Sequence, residues 1–504
     1  MNIPELFQEV IQKESDGVWR AKNFIGGRWL SSASGGELLV TSPVDGHLLA
    51  RAAKTSEKEV SLAIAAADEA RYLIREIAAI ERIALFERAQ SLLEEHQDFF
   101  EYLLLWEAGK PKREAAGEVE ATKERLRMTM QEAKNIAGEY IPGDWSHDTM
   151  GKIGIVVQEP VGVVAAITSF NYPLYIPAAK IVPALLAGNS VVAKPASAAP
   201  LTLLCFARLL EKAGFPSGTL NVVIGSTQVG DALVSDSRVR VVSFTGSTEV
   251  GQHIAKIAGI KKLHLELGGK GVAIVAEDGD LELAAKKCVE GSLKNSGQRC
   301  DAISSVLVME KVAEELVRRI KTEIAHWRGG DPQEPDTKVG PLINENAAIR
   351  VKELIEDAVR KGAKILWGGN RRGAYMEPTL LDKIPADARI VEEETFGPVV
   401  SVVRVKDEEE ALRIAARPRY GLDSCIFTNH YYRMWKLAKG LEVGGVTIND
   451  LPRHGVGYFP FGGVRNSGIG REGVGYSIQE MTQYKTIVFN LEPAGLGKKH
   501  LPAE

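Results

Sequence analysis

The sequence predicts an α/β fold in which parallel sheets are covered by helices on both faces. From residue 150 onward, short apolar runs alternate with segments of helical spacing, a texture typical of parallel strands joined by helices. A second block with the same texture follows residue 271. The chain has 504 residues, 45% of them hydrophobic, so it is long enough to form two or three domains with sizeable cores.

The region before the alternating blocks, from about residue 57, is predicted to be helical. In Glu81–Glu95, apolar residues such as Ile83 and Phe86 recur at helical positions. Pro111 interrupts this pattern, and a charged helix is expected from Arg113 to about Ala137.

The two blocks predict the following elements. The strands of the first block are Val163–Thr168, Ser190–Ala193, Leu220–Ile224, Arg240–Phe244 and Val272–Val275, and its helices are Pro177–Ala187, Pro200–Ala213, Gln228–Ser235 and Glu249–Ile257. The helices of the second block are Leu281–Leu293, Val312–Ala325 and Glu408–Ala416, and its strands are Ile303–Val308, Val399–Val405, Ser424–Phe427, Val446–Ile448 and Tyr484–Asn490. The turn Gly268–Gly271 is the expected domain boundary. Ligands in such sheets bind beyond the carboxyl ends of the strands.

Net charge, hydropathy and cysteine content exclude several classes of protein. The formal net charge of -4 is too small to predict a nucleic-acid or membrane partner. No stretch has the length and freedom from charge of a membrane span, and the segment from Met1 to Arg20 lacks the apolar core of a signal peptide, so a cytoplasmic protein is expected. The four cysteines form no Cys-x-x-Cys pair, which argues against a disulfide framework and against a bound metal.

The strongest candidate for chemistry is Cys300, in the sequence Asn-Ser-Gly-Gln-Arg-Cys at 295–300. It follows a predicted helix and precedes a strand, so a glycine-containing turn can expose the thiol and hold it by the backbone. A cation at Arg299 and nearby backbone N–H groups would favour the thiolate, which is the nucleophilic form. Taken alone, the motif fits a turn cysteine without function equally well.

Two further motifs place polar side chains at strand ends. Glu266 ends an otherwise apolar strand in Leu-Glu-Leu-Gly-Gly-Lys at 265–270, where apolar neighbours would raise its pKa toward that of a general base. Asn171 follows the Val163–Thr168 strand and can donate an N–H to an oxyanion. A hydrogen-bonded structural carboxylate and a turn asparagine are the alternatives at these two positions.

Three other motifs are placed to bind a ligand. Lys194 lies just after a buried strand and before a proline, so it points from the sheet edge toward the ligand crevice. Ser247, in a strand-to-helix turn, suits a pyrophosphate because a helix N-terminus attracts anions, although an ordinary helix cap fits it too. Glu394 and Phe396 precede the Val399–Val405 strand.

In this order, the motifs resemble those of the aldehyde dehydrogenase superfamily, and the resemblance extends from Asn23-Phe24-Ile25-Gly26-Gly27 to Tyr484-Lys485-Thr486. It implies an aldehyde dehydrogenase fold with a Rossmann-like cofactor domain (1–140 and 160–270), an α/β catalytic domain (271–483) and a small β oligomerisation arm (141–159 and 484–504). It also implies a dimer or, as we expect, a homotetramer. The terminal strand has no obvious partner and is expected to add to the sheet of another subunit.

The resemblance implies a role for each motif. Cys300 matches the nucleophile that attacks the aldehyde, Asn171 and the Cys300 backbone N–H match the oxyanion hole, and Glu266 matches the base that activates water to hydrolyse the thioester. The implied contacts to the dinucleotide are Thr168, Lys194, Ser197, Gly246, Ser247, Leu267, Glu394 and Phe396. No metal is implied.

Ser197 departs from the pattern of many NAD-preferring members of the family. Those members often carry a glutamate here, which accepts hydrogen bonds from the ribose hydroxyls and would repel a 2′-phosphate. Ser197 removes that repulsion and can donate a hydrogen bond. With Lys194 nearby, NADP is expected to be the preferred cofactor, with NAD also accepted.

Three stretches, 297–303, 448–455 and 476–490, resemble the non-phosphorylating glyceraldehyde-3-phosphate dehydrogenases of archaeal type. This resemblance implies oxidation of glyceraldehyde 3-phosphate to 3-phosphoglycerate with NADP, a step of glycolysis. Cationic contacts to the substrate phosphate are expected from Arg299, Arg453 and His454, and a hydrogen bond from Tyr172.

One arginine of bacterial members of that branch has no clear counterpart here. On the long helix, Glu120 or Ala121 occupies its place, and Arg125 or Arg127 is the candidate substitute.

Three alternatives remain on sequence alone. Another small aldehyde such as succinate semialdehyde is the first, with Arg299 and Arg453 holding its carboxylate. A cysteine hydrolase or acyltransferase without nicotinamide is the second, but it leaves the dinucleotide motifs unexplained. A non-catalytic relative is the third, but such a protein would be expected to lack the nucleophile or the base.

Overall fold

A computed structural model describes residues 2–32 and 36–491 of the protein. The elements before residue 161 are, in order, β1 (Ile11–Lys13), β2 (Trp19–Ala21), β3 (Asn23–Ile25), β4 (Arg28–Leu30), β5 (Glu37–Thr41), β6 (Leu48–Ala53), α1 (Glu57–Glu76), α2 (Ala79–Glu95), α3 (Gln97–Ala108), α4 (Lys112–Glu132), β7 (Glu139–Pro142) and β8 (Lys152–Pro160). The long charged helix is confirmed as α4, which ends at Glu132, before the predicted Ala137. The short N-terminal strands were not predicted, because three residues are too few to show an alternating pattern.

The first alternating block forms a sheet with a parallel core. Its elements are β9 (Val163–Ile167), α5 (Tyr175–Leu186), β10 (Ser190–Lys194), α6 (Leu201–Ala213), β11 (Leu220–Val222), α7 (Thr227–Ser235), β12 (Val239–Thr245), α8 (Thr248–Ile257) and β13 (Lys262–Glu266). The strand order is β13-β12-β9-β10-β11, all parallel, and β3 extends the sheet antiparallel to β11. The chain therefore adds β10 and β11 on one side of β9 and then places β12 and β13 on the other side. Ligands of such sheets bind where the strand order reverses in this way, here between β9 and β12.

The second block forms another, largely parallel sheet. Its elements are β14 (Gly271–Val275), α9 (Leu281–Leu293), β15 (Ile303–Met309), α10 (Glu310–Ile324), α11 (Glu345–Arg360), β16 (Lys364–Trp367), β17 (Arg371–Arg372), β18 (Tyr375–Met376), β19 (Thr379–Asp382), α12 (Arg389–Glu392), β20 (Val399–Val405), α13 (Glu408–Ala416), β21 (Asp423–Phe427), α14 (Tyr431–Gly440), β22 (Gly445–Ile448), β23 (Gly468–Ile469), α15 (Val474–Glu480) and β24 (Thr482–Asn490). The strand order is β16-β19-β20-β15-β14-β21-β22. The chain passes from one sheet to the other between Glu266 and Gly271, at the predicted Gly-rich turn, so the strand Val272–Val275, which was predicted in the first block, belongs to the second sheet.

The terminal strand β24 pairs with β8 of its own chain and forms the edge of that sheet, so its addition to the sheet of another subunit stays a prediction. It runs antiparallel to β8 from Thr482 opposite Pro160 to Asn490 opposite Lys152, and β7 pairs with the other edge of β8. The hairpin of β7 and β8 leaves one long edge open, and β24 fills it. The predicted domain limits and the role of this sheet in a homotetramer stay predictions, and residues 492–504 of the predicted arm lie outside the described residues.

Within residues 2–32 and 36–491, no helix combines the length and the apolar character that crossing a membrane requires.

Candidate active site

A cavity of about 400 Å³ is lined by residues from both sheets. Asn171 follows β9 and Glu266 ends β13, so both come from the carboxyl ends of parallel strands. Cys300 comes from the loop before β15, and Arg453 and His454 come from the segment after β22. The three residues predicted to be catalytic therefore line one cavity, together with residues predicted to contact the substrate.

The loop that carries Cys300 is held by its own backbone and by buried polar contacts. Asn295, Ser296 and Gly297 have φ values of 53°, 56° and 72°, so the chain makes a left-handed turn after α9. A Cβ atom on Gly297 would lie 2.1 Å from the carbonyl oxygen of Gly397, so only glycine fits at this position. Ser296 Oγ donates to the carbonyl of Gly340 at 3.0 Å. Cys300 is thereby held half-buried at the cavity, whereas the other three cysteines are buried.

Most of the surroundings of the Cys300 thiol disfavour the thiolate. Burial raises its pKa well above the ordinary value, and the carboxylates of Asp301 and Glu266 raise it further. Arg299, which was expected to favour the thiolate, donates from Nε and Nη2 to the two oxygens of Asp301 at 3.0 and 2.7 Å, so a carboxylate offsets its charge. The neighbouring cation is paired with a carboxylate only two residues along the chain. The thiol therefore requires a base, or a change of charge around it when ligands bind, before it can attack.

Asn171 is oriented by hydrogen bonds on both ends of its amide. Ser169 Oγ donates to Oδ1 at 2.8 Å, and Nδ2 donates to the carbonyl of Gln298 at 2.9 Å. Asn295 Nδ2 donates to the Asn171 carbonyl at 3.0 Å and ties the two loops together. An amide nitrogen carries two N–H groups, so one remains for an oxyanion formed next to Cys300.

Glu266 has the properties of a general base. Only 2% of its surface is exposed, and neither carboxylate oxygen meets hydrogen-bonding geometry with any described residue. Burial raises its pKa well above the ordinary value, the carboxylate of Glu472 raises it further, and Lys180 acts in the opposite direction. A carboxyl group with a raised pKa that borders a cavity is suited to taking a proton from water at neutral pH.

Lys180 and Glu472 are the charged residues that most affect the pKa of Glu266, and neither belongs to a motif that the sequence marks as functional. Lys180 is fully buried, and its Nζ lies 3.5 Å from Oε2 of Glu472, which lines the cavity. A single charged residue in an otherwise apolar helix is a signal that marks Lys180 in α5. No local pattern marks Glu472, which meets Lys180 only through the fold.

The adenosine end of the predicted dinucleotide site contains an unpaired amine. Lys194 ends β10 and is buried, and its Nζ donates to the carbonyl of Pro195 at 3.3 Å. Burial lowers the pKa of this amine to about 8, and no described carboxylate forms an ion pair with it. Ser197 Oγ donates to the carbonyl of Gly225 at 3.0 Å. An amine and a hydroxyl without a neighbouring acid fit ribose hydroxyls or a phosphate.

The residues predicted to bind the phosphate and nicotinamide ends of the dinucleotide lie in two turns. Ser247 caps α8, with Oγ accepting from Val250 N, and the N-terminus of this ten-residue helix suits a pyrophosphate. Glu394 accepts from Gly269 N at 3.0 Å, and burial raises the pKa of its carboxyl group. Among the described residues, no group of three or more His, Cys, Asp or Glu side chains is arranged to hold a metal ion.

The other predicted cofactor positions support these turns. Thr168 N donates to the carbonyl of Lys194 at 3.1 Å, and Gly246 N donates to that of Glu266 at 3.0 Å. Leu267 is buried after β13, with its backbone N–H bonded to the carbonyl of Ser467. Phe396 packs edge-on against Phe170, with ring centroids 5.9 Å apart.

Two of the predicted substrate contacts keep free hydrogen-bond donors. Arg299 is 8% exposed and lines the cavity, and its Nη1 has no hydrogen-bond partner among the described residues. Arg453 is about half exposed, and its Nη2 lies 3.6 Å from Glu290. Both guanidinium groups can therefore donate hydrogen bonds to an anionic group of the substrate.

The other two predicted substrate contacts are more constrained. His454 Nε2 lies 2.7 Å from Oδ2 of Asp423. Burial works against the charged imidazole, but the hydrogen bond and charge of Asp423 outweigh it and raise the pKa of His454. His454 therefore does not offer the free positive charge that was expected. Tyr172 lines the cavity. Nζ of Lys110 lies 3.8 Å from the centroid of the Tyr172 ring.

The two helix arginines proposed as substitutes, Arg125 and Arg127, differ in their burial and contacts. Arg125 is fully buried and lines the cavity, with Nη1 donating to the carbonyl of Val456 at 2.9 Å and Nη2 to Ser477 Oγ at 3.2 Å. Its hydrogen bonds hold the loop beside the cavity. Arg127 is exposed, lies 3.8 Å from Glu124 and does not line the cavity, so it is not a substitute.

Comparisons with known proteins agree on one family. The sequence matches the model of the Aldehyde dehydrogenase family over residues 29–487. It is 38% identical over 472 residues to the NADP-dependent glyceraldehyde-3-phosphate dehydrogenase of Streptococcus equinus, covering 93% of this chain and 98% of the relative. It is also 38% identical over 488 residues to the mitochondrial succinate-semialdehyde dehydrogenase of Arabidopsis thaliana, covering 95% and 91%. The crystal structure of NADP-dependent glyceraldehyde-3-phosphate dehydrogenase from Bacillus halodurans C-125 complexed with NADP is similar at a TM-score of 0.92 and 39% identity, covering 94% of this chain and all (100%) of that one.

Proposed function

The chain belongs to the aldehyde dehydrogenase family, and from that premise we propose that it oxidises glyceraldehyde 3-phosphate to 3-phosphoglycerate with NADP. The observation that carries the choice of an anionic aldehyde is the buried Nη1 of Arg299, which has no partner in the described part of the chain and belongs to a residue that lines the cavity together with Cys300. A buried guanidinium N–H without an acceptor is unfavourable unless a ligand supplies one.

The first half of the proposed reaction takes place at Cys300. The Cys300 thiol loses its proton to solvent, and the thiolate sulfur attacks the aldehyde carbon to form a thiohemiacetal, while the carbonyl oxygen becomes an oxyanion. The free N–H of Asn171 and the backbone N–H of Cys300 are placed to stabilise that oxyanion. Bound NADP would supply the hydride acceptor, and loss of hydride from the former aldehyde carbon would leave a thioester on Cys300.

The second half is hydrolysis of the thioester. Glu266 takes a proton from a water molecule, whose oxygen attacks the thioester carbon, and the acid leaves with release of the Cys300 sulfur. The proton on Glu266 must then return to solvent. Lys180 and Glu472 lie close enough to act on the charge of Glu266, so they influence how readily it gives the proton up.

The cofactor choice rests on Ser197 and Lys194. NADP fits because the 2′-phosphate would meet an amine and a hydroxyl and no carboxylate. The NADP-dependent enzymes named among the relatives support the same choice.

Replacing Ser197 with glutamate is expected to move the preference toward NAD. A carboxylate there repels the 2′-phosphate, so the ratio of kcat/KM for NADP to that for NAD should fall by about 10–100-fold. Ser197→Ala is the matched control, because it removes the hydroxyl without adding charge and should change the ratio much less. If the wild-type enzyme already has the higher kcat/KM with NAD, the proposed preference is wrong.

A substrate panel tests the choice of aldehyde. We expect glyceraldehyde 3-phosphate to give a higher kcat/KM than succinate semialdehyde or propionaldehyde. Arg453→Ala should lower kcat/KM for the phosphorylated aldehyde by about tenfold or more, because it removes a charge-assisted contact, and leave propionaldehyde unaffected. Arg127→Ala, on the exposed face of α4, is the control and should change neither.

Succinate semialdehyde is the second candidate substrate, because relatives named for it are as similar as those named for the phosphorylated aldehyde. A carboxylate would engage the same arginines with fewer hydrogen bonds. A panel in which the phosphate gives no gain in kcat/KM would reject glyceraldehyde 3-phosphate, and the highest value for succinate semialdehyde would replace it.

A further inference from the structure

A buried histidine that the mechanism above does not use lies beside Glu266. His264 precedes Glu266 by two residues in β13, so the two side chains lie on the same face of the strand. His264 is 1% exposed, and its Nε2 lies 3.3 Å from Oε1 of Glu266. Its Nδ1 lies 2.9 Å from Oγ of Ser243, which is its partner residue in the neighbouring strand β12.

A hydrogen bond between His264 and Glu266 would satisfy polar atoms of both groups. Nε2 of His264 and both carboxylate oxygens meet full hydrogen-bonding geometry with none of the described residues. Buried polar atoms without partners are costly, and native structures rarely keep them. The 3.3 Å between Nε2 and Oε1 is short enough for a hydrogen bond, and what is missing is the alignment of the N–H, which a rotation of either side chain changes.

The protonation of His264 fits a donor to a carboxylate. Burial lowers its pKa well below the ordinary value, and the positive charges of Lys180 and Arg125 lower it further, which favours the neutral ring with a single N–H. When the Ser243 hydroxyl donates to Nδ1, that N–H lies on Nε2 and faces Glu266. Ser243 therefore selects the tautomer that stabilises the ionised base.

Charged and titratable groups on the neighbouring elements also act electrostatically on His264 or Glu266. They are Lys180 on α5, Arg125 on α4, Lys262 on β13 itself, Arg471 and Glu472 before α15, Asp423 on β21, and the thiol of Cys300. None of them donates a hydrogen bond to Glu266. They set its electrostatic surroundings, whereas His264 is placed to fix its orientation.

We propose that His264 is a positioning residue for the general base: its Nε2–H holds the Glu266 carboxylate at the edge of the cavity, and Ser243 fixes the tautomer. This inference rests on the proposed function, in which Glu266 activates the hydrolytic water. It assigns to the Ser243–His264 pair the step after hydride transfer and no part in binding the aldehyde or the dinucleotide.

His264→Val and His264→Gln test the proposal, because glutamine keeps an N–H near the position of Nε2 and valine does not. We expect His264→Val to lower kcat about tenfold at neutral pH and to move the rising limb of the pH profile upward by about one unit, since the ionised base has lost a hydrogen bond. KM for NADP and the rate of NADPH formation in a single turnover with enzyme in excess should not change. His264→Gln should restore most of kcat.

Two further variants separate this inference from the proposed function. Ser401→Ala, a buried serine in the second sheet, is the control and should behave as wild type. The amplitude of NADPH formation in a single turnover measures the number of competent sites. The positioning role would be contradicted if fewer competent sites alone explained the loss of kcat in His264→Val. It would also be contradicted if the pH profile of kcat of His264→Val matched that of wild type. If Glu266→Gln itself turns over normally, the proposed function is wrong and not merely the role of His264.

Discussion

Replacing Cys300 with serine is expected to lower kcat/KM for the aldehyde by at least about 10³-fold, because a hydroxyl is a far weaker nucleophile than a thiol at neutral pH. The backbone turn, and not the side chain, fixes the position of this residue, so the serine should occupy the same place. Cofactor binding and thermal stability should therefore stay close to wild type. Steady-state kinetics with tryptophan-quenching titrations of NADP measure both.

The chain offers a matched control for this substitution. Cys288 is fully buried on α9, away from the cavity lining, so Cys288→Ser should retain most of the activity. Alkylation of the native protein should modify Cys300 before the three buried cysteines and should inactivate in proportion. Full activity in the Cys300→Ser variant would overturn the mechanism.

Replacing Glu266 with glutamine should stop the reaction after hydride transfer. Loss of a general base lowers the rate of its step by about 10²–10⁴-fold, so steady-state kcat should fall by that factor. NADPH should still form once per site, and the acyl group should remain on Cys300, where intact-protein mass spectrometry detects it. Glu277→Gln makes the same chemical change on the surface and should have no effect. Steady turnover without acyl-enzyme accumulation would contradict the assigned step.

The raised pKa of Glu266 gives this step a pH dependence with a definite sign. The base acts only when ionised, and burial lifts its pKa well above the ordinary value of 4.5, so kcat limited by hydrolysis should rise with pH through that higher pKa. In the Glu266→Gln variant the residual rate should lose this limb.

Local patterns in the sequence determined the elements that build the two sheets. Leu281–Leu293, Glu408–Ala416 and Val399–Val405 have the predicted limits, because each shows a clear helical period or a run rich in β-branched residues. The helix Glu345–Arg360 was missed although its buried residues, such as Val351 and Leu354, follow the helical period. The short strands at the N-terminus have no such signal, and only tertiary pairing makes them strands.

The candidate site divides in the same way. Cys300, Asn171 and Glu266 were recognised because each motif is contiguous in sequence and occupies a strand end or a turn, which topology brings to one cavity. Their roles stay predictions until the variants are measured. The pairing of Arg299 with Asp301 was within reach of sequence reasoning, since the two are separated by a single residue, but geometry decided that two of the guanidinium nitrogens are engaged and Nη1 is left free.

The sequence by itself determined the α/β class, the order of the motifs and the residue types that carry the chemistry, since these depend on short-range periodicity and on contiguous runs. Only the tertiary structure decided which charges are balanced. His454 meets Asp423, Lys180 meets Glu472, and β24 pairs with β8, all between segments distant in the chain. The pKa of a buried group depends on partners within a few ångströms, and the sequence does not specify those distances before the chain has folded.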